Sequence, residues 1–476
     1  MQESNPERAS RWRECRKQLT QAALTYVADT WRALSPESRK KIKQAIAAFV
    51  ISVVLALVVA GEGFSYAQYC TLFLLFFAIQ LWITEAAPPF AVGVFIVGFL
   101  VYALGNADGI IILFLGGFFL AEGMQKTRLD YKLLQKLLPR FGQQARYILL
   151  GLMLTTACIS MLMSNTATTA MMIATAAPLY TNSKGSFSRA LLLGIPAAAS
   201  IGGMGTIIGS PPNAITVGAL AKQGIHVGFL DWMIVGMPLA IILTLVFWRI
   251  LVSAYKIGKD PLDTSFLTAP SDEALAVNAL QEQIMIAILV LTLFFWMLGK
   301  PLFGIPTAAV SGIPIAGLTL TGILTGKDVR ALPWDTLMLV AGGLALGLAI
   351  EEQHLATYYV EKLKHVQIDY TVLVVLFALI TVSLSNFMSN TAATAILIPV
   401  ALSSTALIGD HNPIALPLII GLSASCALFL PVSTPPNAIA YSTGLLKQSE
   451  FRLGGVSVGI IGPALIILWV LMTNGS

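Results

Sequence analysis

Met163-Ser164-Asn165-Thr166-Ala167-Thr168-Thr169-Ala170 returns as Met388-Ser389-Asn390-Thr391-Ala392-Ala393-Thr394-Ala395, seven of eight residues identical at an offset of 225. A second pair follows each copy. Ser210-Pro211-Pro212-Asn213-Ala214-Ile215 lies 46 residues after Ser164, and Thr434-Pro435-Pro436-Asn437-Ala438-Ile439 lies 45 residues after Ser389. Two spaced matches exclude coincidence, so the chain is an internal repeat whose halves each carry a polar triplet and a Pro-Pro break.

The setting of these motifs is apolar. The 476 residues are 56% hydrophobic and 11% charged, a composition that places the chain among integral membrane proteins. Residues 1–44 hold ten Lys/Arg against five acids and read as a cytoplasmic arm, too long and polar for a cleaved signal peptide. The formal charge of +5 follows from basic loops beside apolar spans and is no nucleic-acid signal. Cys15, Cys70, Cys158 and Cys426 lack metal spacing and read as packing residues. The four histidines all fall between apolar segments, so no intramembrane catalytic set is present.

About 20 apolar residues cross the hydrocarbon core. Crossings are predicted at 45–61, 66–84, 88–105 and 109–124, followed by a basic amphipathic interfacial stretch, Lys126 to Arg146. Tyr147 to Thr181 then runs some 35 residues, about 52 Å as one helix, far beyond a core of about 30 Å. Both ends are basic, which predicts a re-entrant helical hairpin with Ser164-Asn165-Thr166 at its tip; two complete spans joined by a polar turn are the alternative. Residues 190–221 form a crossing broken at Gly209 to Asn213, because proline lacks an amide donor and restricts its predecessor. Further crossings are predicted at 229–255, 280–299, 305–325 and 335–351. The hairpin recurs at Val372 to Leu407 and the broken span at Pro413 to Thr443, and Gly455 to Met472 closes the chain.

The resulting fold class is an all-α polytopic membrane protein with about 11 transmembrane helices and two re-entrant hairpins. With the N-terminus cytoplasmic, four positive residues (Lys222, Lys300, Lys362 and Lys364) fall outside and the other 25 of the 29 inside. Five crossings separate the hairpins, so the repeats are predicted to be inverted and the C-terminus external. Gly116-Gly117 and Gly342-Gly343 correspond at an offset of 226 and read as close-packing surfaces between helices.

Broken helices survive in hydrocarbon only where protein, water or ligand satisfies their backbone, and such breaks in corresponding positions mark the solute site of a secondary transporter. A hairpin tip offers amides from one helix start and carbonyls from another helix end, which suits an anion beside a cation. Neither hairpin has Arg, Lys or His between its ends, and neither Pro-Pro loop has one. A bound anion would therefore lack a countercharge, and an unpaired charge at this depth costs several kcal/mol. Co-bound cations would supply it. Hydroxyl, amide and carbonyl oxygens without carboxylate or thiolate favour a monovalent ion such as sodium. Ser160 and Ser385, four residues before Ser164 and Ser389, share their helix faces and add hydroxyls, though packing is an equal reading of them.

The paired Ser-Asn-Thr motifs, each followed by Pro-Pro-Asn-Ala, closely resemble the divalent anion/sodium symporter (DASS) family of di- and tricarboxylate transporters over residues 45–476. The resemblance implies a homodimer working as an elevator, with a transport domain carrying both hairpins and both broken spans past a dimerising scaffold. It implies one sodium site at Ser160, Ser164, Asn165 and Gly209, and a second at Ser385, Ser389, Asn390 and Ser433. It further implies a substrate pocket of Ser164, Asn165, Thr166, Ser210, Ser389, Asn390, Thr391, Thr434 and Pro435. Domain limits follow: arm 1–44, scaffold 45–125, transport half 126–255, connector 256–278, scaffold helices 279–353 and transport half 354–476.

The functional expectation is a sodium-coupled importer of C4-dicarboxylates such as succinate, malate or fumarate, in a bacterial inner membrane. Citrate or sulfate as substrate, and sodium-independent dicarboxylate exchange, are the alternatives. Sodium ions are co-transported and no organic cofactor is expected; the partners are a small dicarboxylate, membrane lipid and a second copy of the chain, not nucleic acid. An enzyme would need titratable groups or a metal set at depth, which the sequence lacks.

Overall fold

A backbone in lipid must satisfy its own polar groups, so long apolar runs become helices, and the computed structural model is all-α. It describes residues 36–61, 63–84, 86, 92, 96, 110–182, 185–262, 279–305, 307–353, 358, 369–408 and 412–474. Among the described residues the β structure is one isolated bridge, Gln144 to Pro261. Six described helices are long and apolar enough to cross a membrane: Tyr66–Thr84, Ser186–Gly205, Phe229–Ala254, Ala279–Phe303, Tyr370–Phe387 and Gln448–Thr473.

The first half contains α1 (Pro36–Val59), α2 (Tyr66–Thr84), α3 (Ile110–Lys126) and α4 (Leu129–Leu137). Helix α1 starts inside the stretch read as the arm, with proline at its first position, where no amide is lost. Apart from Val92 and Ile96, the crossing expected at 88–105 lies outside the described residues, as do the stretch 263–278 of the connector and 359–368 at the start of the second transport half. The first hairpin is α5 (Ala145–Ser160) followed by α6 (Asn165–Thr175) and α7 (Ala177–Asn182), and the chain breaks at the motif as predicted. At 16 residues, α5 is about 24 Å long, short of the about 30 Å core. The broken span is α8 (Ser186–Gly202) and α9 (Pro211–Lys222), with 3-10 turns at Gly203–Gly205 and Ile207–Gly209 between them. Helix α10 (Phe229–Ala254) ends this half.

The second half has α11 (Ala279–Phe303), α12 (Thr307–Val310), α13 (Gly312–Leu320), α14 (Gly326–Ala331) and α15 (Trp334–Glu352). The crossing expected at 305–325 is thus two short helices. Pro314 has no amide to offer the Val310 carbonyl, which weakens the helix where α12 ends. The second hairpin is α16 (Tyr370–Phe387) and α17 (Asn390–Ile408). Helices α18 (Ala415–Ser423) and α19 (Pro435–Ser442) form the second broken span, and α20 (Phe451–Asn474) completes the described chain.

Packing crosses between the repeats: α6 lies against α19, and α9 against α17. Each hairpin therefore meets the other half's break. The glycines permit close approach, as expected. A Cβ on Gly116 would fall 2.5 Å from Ser311 Cβ, on Gly117 3.1 Å from Ile208 Cβ, and on Gly343 2.6 Å from Ala395 Cβ. Helix α15 thus presses its bare backbone onto α17, with Leu339, Leu346 and Ile350 packed in one buried cluster with Leu72, Leu74 and Ala392.

Candidate functional site

Four helices begin at one cavity. Helix α6 is capped by Ser164, whose Oγ accepts from Ala167 N at 3.2 Å, and Ser389 Oγ accepts from Ala392 N at 3.1 Å at the start of α17. Helices α9 and α19 open with Pro-Pro after Ser210 and Thr434, and Thr434 Oγ1 accepts from Asn437 N at 3.3 Å. These starts are where a chain supplies positive partial charge. Their contributions differ, because prolines carry no N–H. For an anion in the cavity, the helix starts at Asn165 and Asn390 are the ones that could offer backbone amides, while the Pro-Pro starts could contribute only dipole and shape.

The cavity encloses about 2500 Å³ including its open mouth. Ser164, Asn165, Thr166, Gly209, Ser210, Ser389, Asn390, Thr391, Ser433, Thr434 and Pro435 all line it. Two of the residues singled out from the sequence, Ser160 and Ser385, do not; they are fully buried behind it. Among the described residues, the charged ones in the wall are Glu122 and Asp335, with no Lys, Arg or His, so these residues offer an anion no fixed countercharge.

Behind the wall the oxygens converge. One terminal atom of the Asn165 amide lies 2.7 Å from Ser160 Oγ, 3.1 Å from the Ala199 carbonyl oxygen and 3.2 Å from that of Gly209. With nitrogen there, the amide donates to all three. With oxygen there, four oxygens meet around the single Ser160 proton, an arrangement that a small hard cation completes. In the second half, Ser385 Oγ and Asn390 Oδ1 are buried without a partner, so two oxygens stand ready for the same kind of ion. Ser433 is differently placed: its Oγ donates to Asn386 Oδ1 at 3.0 Å and accepts from Leu430 N at 2.9 Å. No cluster of three or more His, Cys, Asp or Glu able to hold a metal occurs among the described residues.

The breaks are held by side chains to which the sequence reading gave no role. Asn213 Nδ2 donates to Gly203 O at 2.8 Å and Thr206 O at 2.7 Å, and Asn437 Nδ2 donates to Leu430 O at 3.0 Å and Leu428 O at 3.4 Å. Each motif asparagine thereby satisfies carbonyls that its broken span leaves open. Thr206 donates to the Met161 carbonyl and caps Gly209 N at 3.0 Å, tying the first tip to the first break. Asn386 does so in the second half, its Oδ1 accepting from Phe429 N at 2.8 Å. The asparagines were visible as repeated letters. Asn386 was not, because its counterpart at the same offset is Met161.

The family model described as citrate transporter matches residues 38–421 and again 304–474. The chain belongs to the citrate-transporter family. It is a transporter and not an enzyme, and its resemblance to the DASS carriers is upheld. It is 33% identical to an uncharacterized transporter of Haemophilus influenzae, over 83% of this chain and 91% of that one. It is 30% identical to the sodium-dependent dicarboxylate transporter SdcS of Staphylococcus aureus, over 82% of each. Among solved structures, Neisseria gonorrhoeae MtrF and Alcanivorax borkumensis YdaH share the fold at TM-scores of 0.54, with 14% and 13% identity over 93% of this chain and 96% and 98% of theirs.

Proposed function

We propose that this chain imports C4-dicarboxylates by sodium symport. The observation that carries it is the cavity wall, where both Ser-Asn-Thr triplets and four helix starts meet with no basic side chain among the described residues. An anion held there needs cations beside it; the oxygens of Ser160, Asn165, Ala199 and Gly209 suit one sodium ion, and the unpartnered oxygens of Ser385 and Asn390 offer ligands for a second. Sodium and dicarboxylate both appear in the name of the Staphylococcus aureus relative. Ser164, Asn165, Thr166, Ser210, Ser389, Asn390, Thr391, Thr434 and Pro435 hold the substrate in this reading. Ser164, Ser389 and Ser433 add backbone or hydroxyl oxygens to the cations.

The transport unit comprises the two hairpins and broken spans together with α4, α10 and α20; α1 to α3 and α11 to α15 form the scaffold, which pairs with a second copy. Glu122, Gln125 and Asp335 bring one side of the wall close to Lys126 and Arg330, which the charge rule puts in the cytoplasm, and we read the arrangement as an elevator facing inward. Unequal wear of equivalent surfaces supports movement. Ala392, Ala395 and Pro399 are buried, yet their counterparts at 225 residues' offset, Ala167, Ala170 and Ala174, are not. In the breaks the inequality reverses: Ile208 is 7% exposed and its counterpart Val432 80%.

The test is uptake of radiolabelled succinate into proteoliposomes under imposed sodium, proton and substrate gradients. An inward sodium gradient should drive accumulation. Uptake that persists without sodium but requires internal dicarboxylate would overturn symport in favour of exchange, and competition by unlabelled citrate or sulfate ranks the substrates.

A further inference from the structure

Many buried hydroxyls in these helices donate to the carbonyl four residues back, while others, among them Thr155, Thr168, Thr169 and Ser311, have no partner and lie away from the cavity. Ser52 donates to Ala48 O at 2.6 Å, Thr156 to Leu152 O at 2.6 Å, Thr244 to Ala240 O at 2.7 Å and Thr381 to Phe377 O at 2.6 Å. Ser200, in the last turn of α8, does not. It is 1% exposed, and its Oγ has no hydrogen-bond partner. Among the described residues, only two that line the cavity carry a buried side-chain polar atom without a partner: Asn390, through Oδ1, and Ser200, through Oγ. The first belongs to a triplet already assigned to the site. The second belongs to no motif.

We propose that Ser200 is a substrate-binding residue whose hydroxyl donates to a carboxylate of the bound dicarboxylate. The inference rests on the dicarboxylate reading of the cavity above. Position and chemistry decide between solute and cation. Ser200 follows Ala199, whose carbonyl faces Ser160 and Asn165, so the serine stands beside the cation oxygens yet reaches the cavity that Ser160 does not. A cation would use only the oxygen lone pairs of Ser200 and leave its proton without an acceptor. A carboxylate takes the proton and satisfies the group. The repeat sharpens this. Ser425 stands 225 residues on, equally buried and without a partner, but outside the cavity wall. The same letter occurs in both halves, and only the first copy reaches the solute, which therefore sits toward the first repeat at this end.

The experiment compares wild type with Ser200→Ala, Ser200→Thr and Ser425→Ala, using succinate as solute and sodium chloride as the cation source. Wild type must first show sodium-dependent succinate uptake; if it does not, the dicarboxylate reading fails before Ser200 is tested. At saturating sodium, Ser200→Ala is expected to raise the KM for succinate about ten-fold, Ser200→Thr to keep it within a few-fold, and Ser425→Ala to leave it unchanged. Thermal unfolding of the purified proteins provides a second readout. Sodium alone should raise the midpoint of wild type and Ser200→Ala equally, and the extra rise on adding succinate should be lost in Ser200→Ala. An unchanged succinate KM in Ser200→Ala would overturn the proposal. So would loss of the sodium-only shift, which would make Ser200 a cation ligand. If Ser200→Ala does not fold, Ser200→Cys retains the volume with a weak donor and is read by the same two measurements.

Discussion

Asn165 and Asn390 each open a helix at the cavity; the Asn165 amide meets the oxygens of Ser160, Ala199 and Gly209, and Asn390 Oδ1 is buried without a partner. Replacing either by alanine should abolish succinate uptake while leaving expression intact, which filter uptake and quantitative blotting would check. A subtler change tests the first cation set. A Cβ on Gly203 would fall 2.7 Å from Asn165 Oδ1 and 2.9 Å from Gly209 O, so Gly203→Ala pushes directly on those oxygens. The sodium concentration for half-maximal uptake should rise about ten-fold, equivalent to ~1.4 kcal/mol. Asn213→Ala strands two buried carbonyls at about 1–3 kcal/mol each. It should lower the melting midpoint more than Asn437→Ala does, since the Asn437 bonds are longer. At this scale the repeated letters located most of the polar part of the cavity wall, but not the part that α2, α3 and α15 supply through Trp82, Phe114, Phe118 and Leu339. Ser200 escaped because a serine among alanines in an apolar helix looks like packing until its proton is seen to have no acceptor.

Single elements were legible where apolar length and proline placement agreed. Both hairpins and both breaks fall where the motifs require. The interval 305–325 has enough apolar residues for one span, but Pro314 weakens the helix where α12 ends, a local effect that window hydropathy averages away. Helix α4 carries a test of its own. Asp130 is 3% exposed, its carboxylate faces the Tyr131 amide, and burial pushes its pKa up to about 6. Its folded pKa is raised, so its contribution to stability is full at low pH and falls as pH rises between about 4 and 6. Above that window a buried charge persists. Asp130→Asn should raise the melting midpoint at pH 7.5 and flatten its slope between about pH 4 and 6, measured in detergent.

Over the whole molecule, the offset of 226 that relates Gly117 to Gly343 predicts a second arrangement. Gly343 now meets Ala395, while Gly117 meets Ile208. Exchanging the roles of the halves would seat Gly117 on Ala170 and Gly343 on Val432. In a background lacking Cys15, Cys70, Cys158 and Cys426, the pair Gly343→Cys with Ala395→Cys should cross-link the present arrangement. Gly117→Cys with Ala170→Cys should cross-link the other. Each should stop uptake until reduced, and failure of the second pair under all sodium and succinate conditions would remove this arrangement from the cycle.

The bare alanines of the first hairpin and the bare Val432 of the second break carry an energetic meaning. In the elevator proposed above, motion that covers one set would uncover its counterpart, so the apolar area gained by one half would be about that surrendered by the other. Two poses balanced in this way differ little in free energy, and small differences in ligand affinity can then decide which is populated. A machine with no fuel beyond ion and solute gradients needs that near-degeneracy, and duplication of one ancestral half is a direct way to obtain it.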